Sequence, residues 1–167
     1  MSEPTIAHNN WVAFCTIVRK EYLRVIRIWV QTIVPPAITM TLYFLIFGTL
    51  IGSRIGTMDG YSYLQFIAPG LIMMSVITNS YGNVVSSFFG AKFARHIEEM
   101  LVSPVPNSII VLGHVAGGVV RGLMVGSLVA IVALAFTKLT IAHPLIMFSM
   151  VVLTSVVFSL AGFINAM

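Results

Sequence analysis

Charged residues are scarce in this sequence, and their scarcity excludes a soluble globular domain. Only 8% of the 167 residues are charged and 58% are hydrophobic, with a mean hydropathy of +1.00. A soluble domain carries roughly 25% charged residues. A globule of this length needs a polar surface that nine basic and five acidic side chains cannot cover. Most of the surface must therefore face lipid.

Cysteine is almost absent, and so are the motifs of several enzyme classes. The single Cys15 cannot form an internal disulfide, and no group of cysteines and histidines has the spacing of metal ligands. The chain contains no Gly-Lys pair, hence no phosphate-binding GxxxxGK[ST] loop, and neither HExxH nor GxSxG occurs. We therefore expect no metal or cofactor on this chain, and neither ATP hydrolysis nor intramembrane catalysis by these routes.

The hydrophobic residues form four long runs, each exceeding the roughly 20 residues that a helix needs to cross a bilayer. The runs are continuous and do not alternate, which favours helices over a barrel. The first run lacks a small-residue cleavage site, so we interpret it as a retained span and not as a signal peptide. We predict an all-α, polytopic membrane protein whose N-terminal segment, 1–29, precedes a transmembrane domain, 30–167, with spans at 30–52, 62–89, 107–136 and 144–167.

Basic residues lie at the ends of the apolar runs, which is typical of membrane topology and not of a nucleic-acid-binding patch. Arg54 is the only lysine or arginine of the first loop, and Lys138 is the only one of the third. Gly56 and Gly60 mark a turn in the first loop. The N-terminal segment and the second loop together contain Arg19, Lys20, Arg24, Arg27, Lys92 and Arg95. This distribution predicts a cytoplasmic N-terminus and a cytoplasmic second loop.

An amphipathic helix is predicted before the first span. Its apolar side chains recur at spacings of three and four residues: Trp11, Phe14, Cys15, Val18, Tyr22, Val25, Ile26 and Trp29. Lys20, Arg24 and Arg27 project from the opposite side. Such a helix suits the lipid headgroup layer, and a soluble helix packed on a partner is the alternative. Pro35 and Pro36 predict a bend where the chain turns into the membrane.

The second span has a small, polar stripe at helical spacing, formed by Ser75, Thr78, Asn79, Gly82, Asn83, Ser86 and Gly90. Two interpretations remain open. Small and hydroxylated residues let helices approach closely and form hydrogen bonds across the contact. The same stripe could instead line a substrate path.

The third span combines glycines with two basic side chains. Glycines four residues apart form two overlapping ridges for close packing: Gly113 with Gly117, and Gly118 with Gly122 and Gly126. Arg121 lies well inside the span, where a cation costs roughly 2.5 to 3.5 kcal/mol on insertion scales. His114 lies on the same face. Arg121 either reaches the interface or a backbone carbonyl for structural reasons, or faces a hydrated path or subunit contact.

The second loop, residues 90–106, contains a charged stretch with helical spacing from Lys92 to Val102, which Pro104 and Pro106 end. Composition alone favours an ordinary solvated connection. However, three segments, IRIWVQTIVPPAITMTLYFLIFG (26–48), YLQFIAPGLIMMSVI (63–77) and IEEMLVSPVP (97–106), closely resemble the permease subunits of type-2 ABC exporters, especially the YadH-like bacterial inner-membrane permeases. The resemblance runs through the whole chain in order.

This resemblance implies a partner-driven exporter. In that family the permease dimerises and binds two copies of a separate ATPase, which holds the ATP and Mg²⁺. The second loop is the family's coupling helix, so the resemblance assigns ATPase coupling to His96, Glu98, Glu99, Leu101 and Ser103. The N-terminal helix corresponds to the family's interfacial connecting helix. The transport path runs between the two subunits.

The family has six spans and this chain contains the first four, so we expect the N-terminal two thirds of a permease. The predicted function is the membrane subunit of an ATP-driven exporter of an amphiphilic, lipid-like or drug-like substrate in the bacterial inner membrane, in contact with membrane lipid and without nucleic acid. The alternative is a non-transporting membrane scaffold or an inactive truncated remnant.

Overall fold

The computed structural model describes residues 6–58, 60–137 and 143–167. Lys138, the basic residue of the predicted third loop, lies outside these ranges. The described chain is almost entirely helical, which confirms the predicted all-α class. In chain order it contains α1 (Ile6–Arg27), α2 (Trp29–Leu45), a π-helical segment (Ile46–Ile51), α3 (Gly52–Ile55), β1 (Thr57–Met58), β2 (Tyr61–Ser62), α4 (Tyr63–Phe93), α5 (His96–Val102), α6 (Asn107–Phe136) and α7 (Pro144–Ala166).

The first loop is a small antiparallel hairpin. Strands β1 and β2 pair Thr57 with Ser62 and Met58 with Tyr61. Gly56 and Gly60 adopt φ values of +76° and +80°, which glycine reaches without steric cost. The turn predicted from these two glycines is thereby confirmed. Ser62 then caps α4, because its side chain accepts a hydrogen bond from the backbone N–H of Gln65.

The N-terminal helix and the first span meet at Ile28, which has φ −106° and ψ 31°, next to the predicted boundary between residues 29 and 30. The hydrogen bonds from Ile28 N to Arg24 O and from Thr32 N to Ile28 O persist across this residue. Pro35 and Pro36 lie inside α2 without ending it. The bend predicted at the two prolines stays a prediction, since a proline can kink a helix that continues.

Helix α6 is the centre of the bundle, and α1, α2, α4 and α7 all pack against it. Helices α2 and α6 form an apolar core with one residue of α4; its buried members are Met40, Phe44, Ala68, Val125, Val129 and Ala133. Phe44 and Phe136 stack with ring centroids 5.8 Å apart. The contact between α2 and α6 is therefore apolar.

Both glycine ridges of α6 are close-packing surfaces within the chain. A Cβ at Gly113 would lie 2.5 Å from Ile17, and a Cβ at Gly117 would lie 2.6 Å from Glu21. Both contacts are with α1, and they advance by four residues in each helix, so α1 and α6 run side by side in the same direction. The second ridge, Gly118, Gly122 and Gly126, faces Ser80, Val76 and Val84 of α4, and its first two glycines also face serines of α7.

Three described helical stretches are long and apolar enough to cross a membrane: Trp29–Gly48, Asn107–Phe136 and Pro144–Ala166. These correspond to the first, third and fourth predicted spans. Helix α4 has 31 residues, which is ample length, but its polar stripe makes it less apolar than the other three. The total of four spans therefore stays a prediction.

Candidate functional site

A buried ion pair lies where α1 meets α4 and α6. Glu21 is fully buried, with 0% exposure, and its Oε2 accepts a hydrogen bond from Nη2 of Arg24 at 3.0 Å. Its other oxygen, Oε1, accepts a hydrogen bond from Ser87 of α4. A carboxylate removed from water needs such partners, because its ionised form is otherwise strongly disfavoured.

Arg24 extends this contact to the polar stripe of α4. Its Nη2 donates to the carbonyl oxygen of Asn83 at 3.0 Å and to Oδ1 of the same residue at 2.8 Å. Nη1 lies 3.4 Å from Oγ of Ser86, which itself donates to the Asn83 carbonyl. We call Glu21, Arg24, Asn83, Ser86 and Ser87 the α1–α4 polar cluster. It connects two segments about 60 residues apart in the chain.

The cluster was not predicted from the sequence. The periodicity of α1 groups Arg24 with Lys20 and Arg27 opposite the apolar residues, but its side chain is 28% exposed and bonded to α4. No pattern in the sequence points to Glu21 by itself. The available signal was their spacing of three residues, which places the two charges on one face of a helix. Of the predicted apolar face, Trp11, Tyr22 and Trp29 are exposed, as a face turned to headgroups and lipid would be, and Val25 is buried.

Two further residues of the predicted stripe donate hydrogen bonds to backbone carbonyls of their own helix. Thr78 donates to the carbonyl oxygen of Met74 at 2.8 Å, and Nδ2 of Asn79 donates to the carbonyl oxygen of Ser75 at 3.0 Å. Ser75 is buried and its hydroxyl has no partner among the described residues. Within the described ranges, Asn83 and Ser86 are the only stripe residues that bond to another element. For these two residues the packing interpretation fits the observed contacts.

His114 and Arg121 have different surroundings. The buried His114 ring packs against Phe88 and Phe163, with centroids 5.7 and 6.2 Å away, and Nδ1 donates to the Ile110 carbonyl at 2.8 Å. The side of α6 that carries His114 therefore packs against aromatic rings at this residue. Arg121 is partly buried, and its Nε is buried without a hydrogen-bond partner among the described residues. The carbonyl contact considered for Arg121 is therefore not observed.

The predicted coupling residues all lie on or just after α5. His96, Glu98, Glu99 and Leu101 are exposed, and Ser103, which ends the helix, donates to the carbonyl oxygen of Met100 at 2.9 Å. Glu98 and Glu99 occupy the first turn, where the helix dipole favours negative charge. Arg95, with φ +60°, turns the chain sharply between α4 and α5. The result is a short helix with acidic and apolar side chains exposed together, including Leu101 at 61% and Val102 at 87%.

A cavity of about 210 Å³ separates α1 from the chain that follows α5. Its lining comes from Ala13, Thr16 and Ile17 of α1 and from Met100, Ser103, Val105 and Ile110 on the other side. The segment around the end of α5 and the N-terminal helix are thus neighbours.

Comparisons with known proteins agree on one family. Residues 12–167 match the model described as "ABC-2 type transporter". The chain is 61% identical over 158 residues to "Inner membrane transport permease YadH" of Escherichia coli (strain K12), covering 95% of this chain and 62% of the relative. It is 26% identical over 125 residues to "Nodulation protein J" of Rhizobium meliloti (strain 1021), covering 74% and 47%. No solved structure matches significantly. The chain thus spans less than two thirds of the length of these relatives.

Proposed function

Because this chain belongs to the ABC-2 type transporter family, we propose that it is the membrane-spanning permease subunit of an ATP-driven exporter. The cargo would be an amphiphilic, lipid-like or drug-like molecule, moved across the bacterial inner membrane. ATP would be bound and hydrolysed, with Mg²⁺, by a separate ATPase present in two copies. The permease would act as a homodimer.

The observation that carries the proposal is the surface of α5. A seven-residue helix exposes Glu98 and Glu99 beside Leu101 and Val102, and such a mixture of charge and apolar area is typical of a protein contact. An isolated solvated loop has no need to expose large apolar side chains. Its neighbours α1 and α4 offer a route by which movement of a bound ATPase would reach the spans.

The first test is charge reversal on α5. In the full-length protein, Glu98→Lys with Glu99→Lys is expected to reduce the amount of ATPase that co-purifies by roughly tenfold or more. Disrupting a charged interfacial contact costs about 2–5 kcal/mol, and about 1.4 kcal/mol is already tenfold in affinity. The measurement is the ratio of ATPase to permease after affinity purification from membranes.

Arg54→Glu is the matched control. Arg54 is also exposed, and its charge is reversed at the end of the bundle opposite to α5. Its ATPase ratio should equal that of the parental protein. Undiminished ATPase capture by the Glu98→Lys, Glu99→Lys variant would contradict the assignment of α5. A full-length protein that captures no ATPase at all would favour the non-transporting scaffold.

The second test concerns orientation. With Cys15 replaced by alanine, a single cysteine at Thr57 is expected to react with a membrane-impermeant thiol reagent in intact cells, and one at Ala94 is not. Both positions are exposed, so accessibility to the reagent depends on the side of the membrane. Labelling at Ala94 with protection at Thr57 would invert the topology. Ala142, a further position of interest in the third loop, lies outside the described residues.

A further inference from the structure

Arg121 is a cation without a counter-ion among the described residues. No described side chain pairs with it, and its Nε is buried without a partner. The register of α1 on α6 places it beside Arg24: Glu21 faces Gly117, and one further turn along the two parallel helices brings Arg121 level with the residues that follow Glu21. The two arginines thus lie at about the same level of the α1–α6 contact.

Glu21 is the one described carboxylate of this region, and both of its oxygens already accept hydrogen bonds. Glu21 accepts from Arg24 with one oxygen and from Ser87 with the other. The remaining described carboxylates, Glu98 and Glu99, are exposed on α5. Two arginines and one glutamate leave a net positive charge in a partly buried place, and like charges at close range repel each other. An anion would remove this repulsion.

The unsatisfied polar atoms here are hydrogen-bond donors. Nε of Arg24, Nδ2 of Asn83 and Nε of Arg121 are all buried without a partner in the described chain. Asn83 itself is fully buried. Buried donors without acceptors cost free energy, and this excess of donors favours a ligand rich in acceptor oxygens at the two arginines. Both arginine side chains keep partial exposure, so such a group could reach them from outside the bundle.

The level of the site along α1 indicates that this ligand has an apolar tail. Tyr22 and Trp29, at a similar level to Arg24 but on other sides of the helix, are 45% and 56% exposed, and Tyr and Trp are enriched where headgroups meet hydrocarbon. Exposed Val30 and Leu23 extend the apolar surface beside them. Guanidinium groups match the geometry of phosphate oxygens better than ammonium groups do.

We infer that Arg121 and Arg24 form a binding site for the phosphate headgroup of an anionic amphiphile. The inference rests on the proposed function for its membrane setting, and it extends that function by naming a ligand class and the residues that hold it. The shared chemistry is a phosphate on an apolar tail, and two sources supply it: a resident phospholipid of the membrane or the exported cargo.

The test uses the purified full-length protein and phosphatidylglycerol, with phosphatidylcholine as the zwitterionic probe. Phosphatidylglycerol is expected to raise the melting temperature of the parental protein more than phosphatidylcholine does. Arg121→Gln should weaken its binding, measured by native mass spectrometry, by roughly tenfold or more, as expected for loss of a charge-assisted hydrogen bond. Arg121→Lys should restore part of the binding because it keeps the charge.

Arg27→Gln is the matched control, since Arg27 is an exposed arginine of α1 that bonds to nothing in the cluster; this variant should bind phosphatidylglycerol as the parental protein does. The source is identified by the amphiphile that co-purifies with the parental protein and is absent from purified Arg121→Gln. A host phospholipid assigns the site to resident lipid. Another phosphorylated amphiphile assigns it to cargo. Equal phosphatidylglycerol binding by the parental protein and Arg121→Gln overturns the inference. ATPase capture by Arg121→Gln is measured in parallel, so loss of the lipid site and loss of the exporter assignment remain distinguishable.

Discussion

Gly162→Ala is expected to destabilise the protein by about 1–3 kcal/mol, the range for forced overpacking in a well-packed contact. A Cβ at Gly162 would lie 2.7 Å from the backbone carbonyl oxygen of Tyr81 and 3.3 Å from its Cα. Backbone atoms of α4 cannot rotate away as a side chain can, so α4 and α7 would have to separate. The melting temperature in detergent, followed by circular dichroism, should fall by several degrees.

Gly82→Ala is the matched control for this substitution. Gly82 is the residue after Tyr81 in the same helix, and nothing lies within 4 Å of its added Cβ. Alanine has a higher helix propensity than glycine by about 1 kcal/mol, so this variant should be as stable as the parental protein or more so. Equal melting temperatures for Gly162→Ala and the parental protein would show that α4 and α7 do not pack as described.

Glu21→Ala should have a comparable or larger effect, because it breaks the α1–α4 polar cluster. Removal of one partner of a buried ion pair costs about 3–5 kcal/mol, and the partial exposure of Arg24 places the expected loss at the lower end of that range. The substitution leaves the Arg24 charge without its counter-ion and leaves Ser87 without its acceptor. The measurement is again the melting temperature of the purified protein in detergent.

A double substitution separates the ion pair from simple packing. Glu21→Gln with Arg24→Gln removes both charges and should recover part of the stability lost in Glu21→Ala, since replacing both partners of a buried pair is often nearly neutral. Glu98→Ala, which removes an exposed carboxylate on α5, should leave the melting temperature unchanged. A Glu21→Ala protein that melts with the parental one would mean that the cluster contributes nothing to holding α1.

The helices themselves follow closely from the sequence. Helix α6 begins at Asn107, directly after Pro106, and ends at Phe136, as the apolar run and its prolines predict. The loop that joins α4 to α6 was expected to be helical in part, and α5 occupies His96–Val102. The predicted helical stretch from Lys92 is divided because Arg95 adopts a left-handed conformation, which residue types alone do not reveal.

Side-chain pairing across elements was much less predictable. The periodicity of α1 separates apolar from charged residues, and on that basis Arg24 belongs on a solvent-facing side. In the folded chain the same face meets Asn83 and Ser86 of α4, and Glu21 meets Gly117 of α6. The energy of a buried charge depends on partners supplied by other segments, and a single sequence does not say which segments will meet.

The sequence by itself determined the solvent, the class and the segments of this protein, because burying nonpolar side chains and satisfying backbone hydrogen bonds in lipid leave helices as the available solution for long apolar runs. It also determined that α6 would pack closely, since only small residues let helix backbones approach. Tertiary structure decided that one glycine ridge receives α1 and the other receives α4 and α7. It likewise decided that Glu21 and Arg24 turn inward while Arg121 has no partner in the described part of the chain, because those outcomes depend on distances between residues far apart in the sequence.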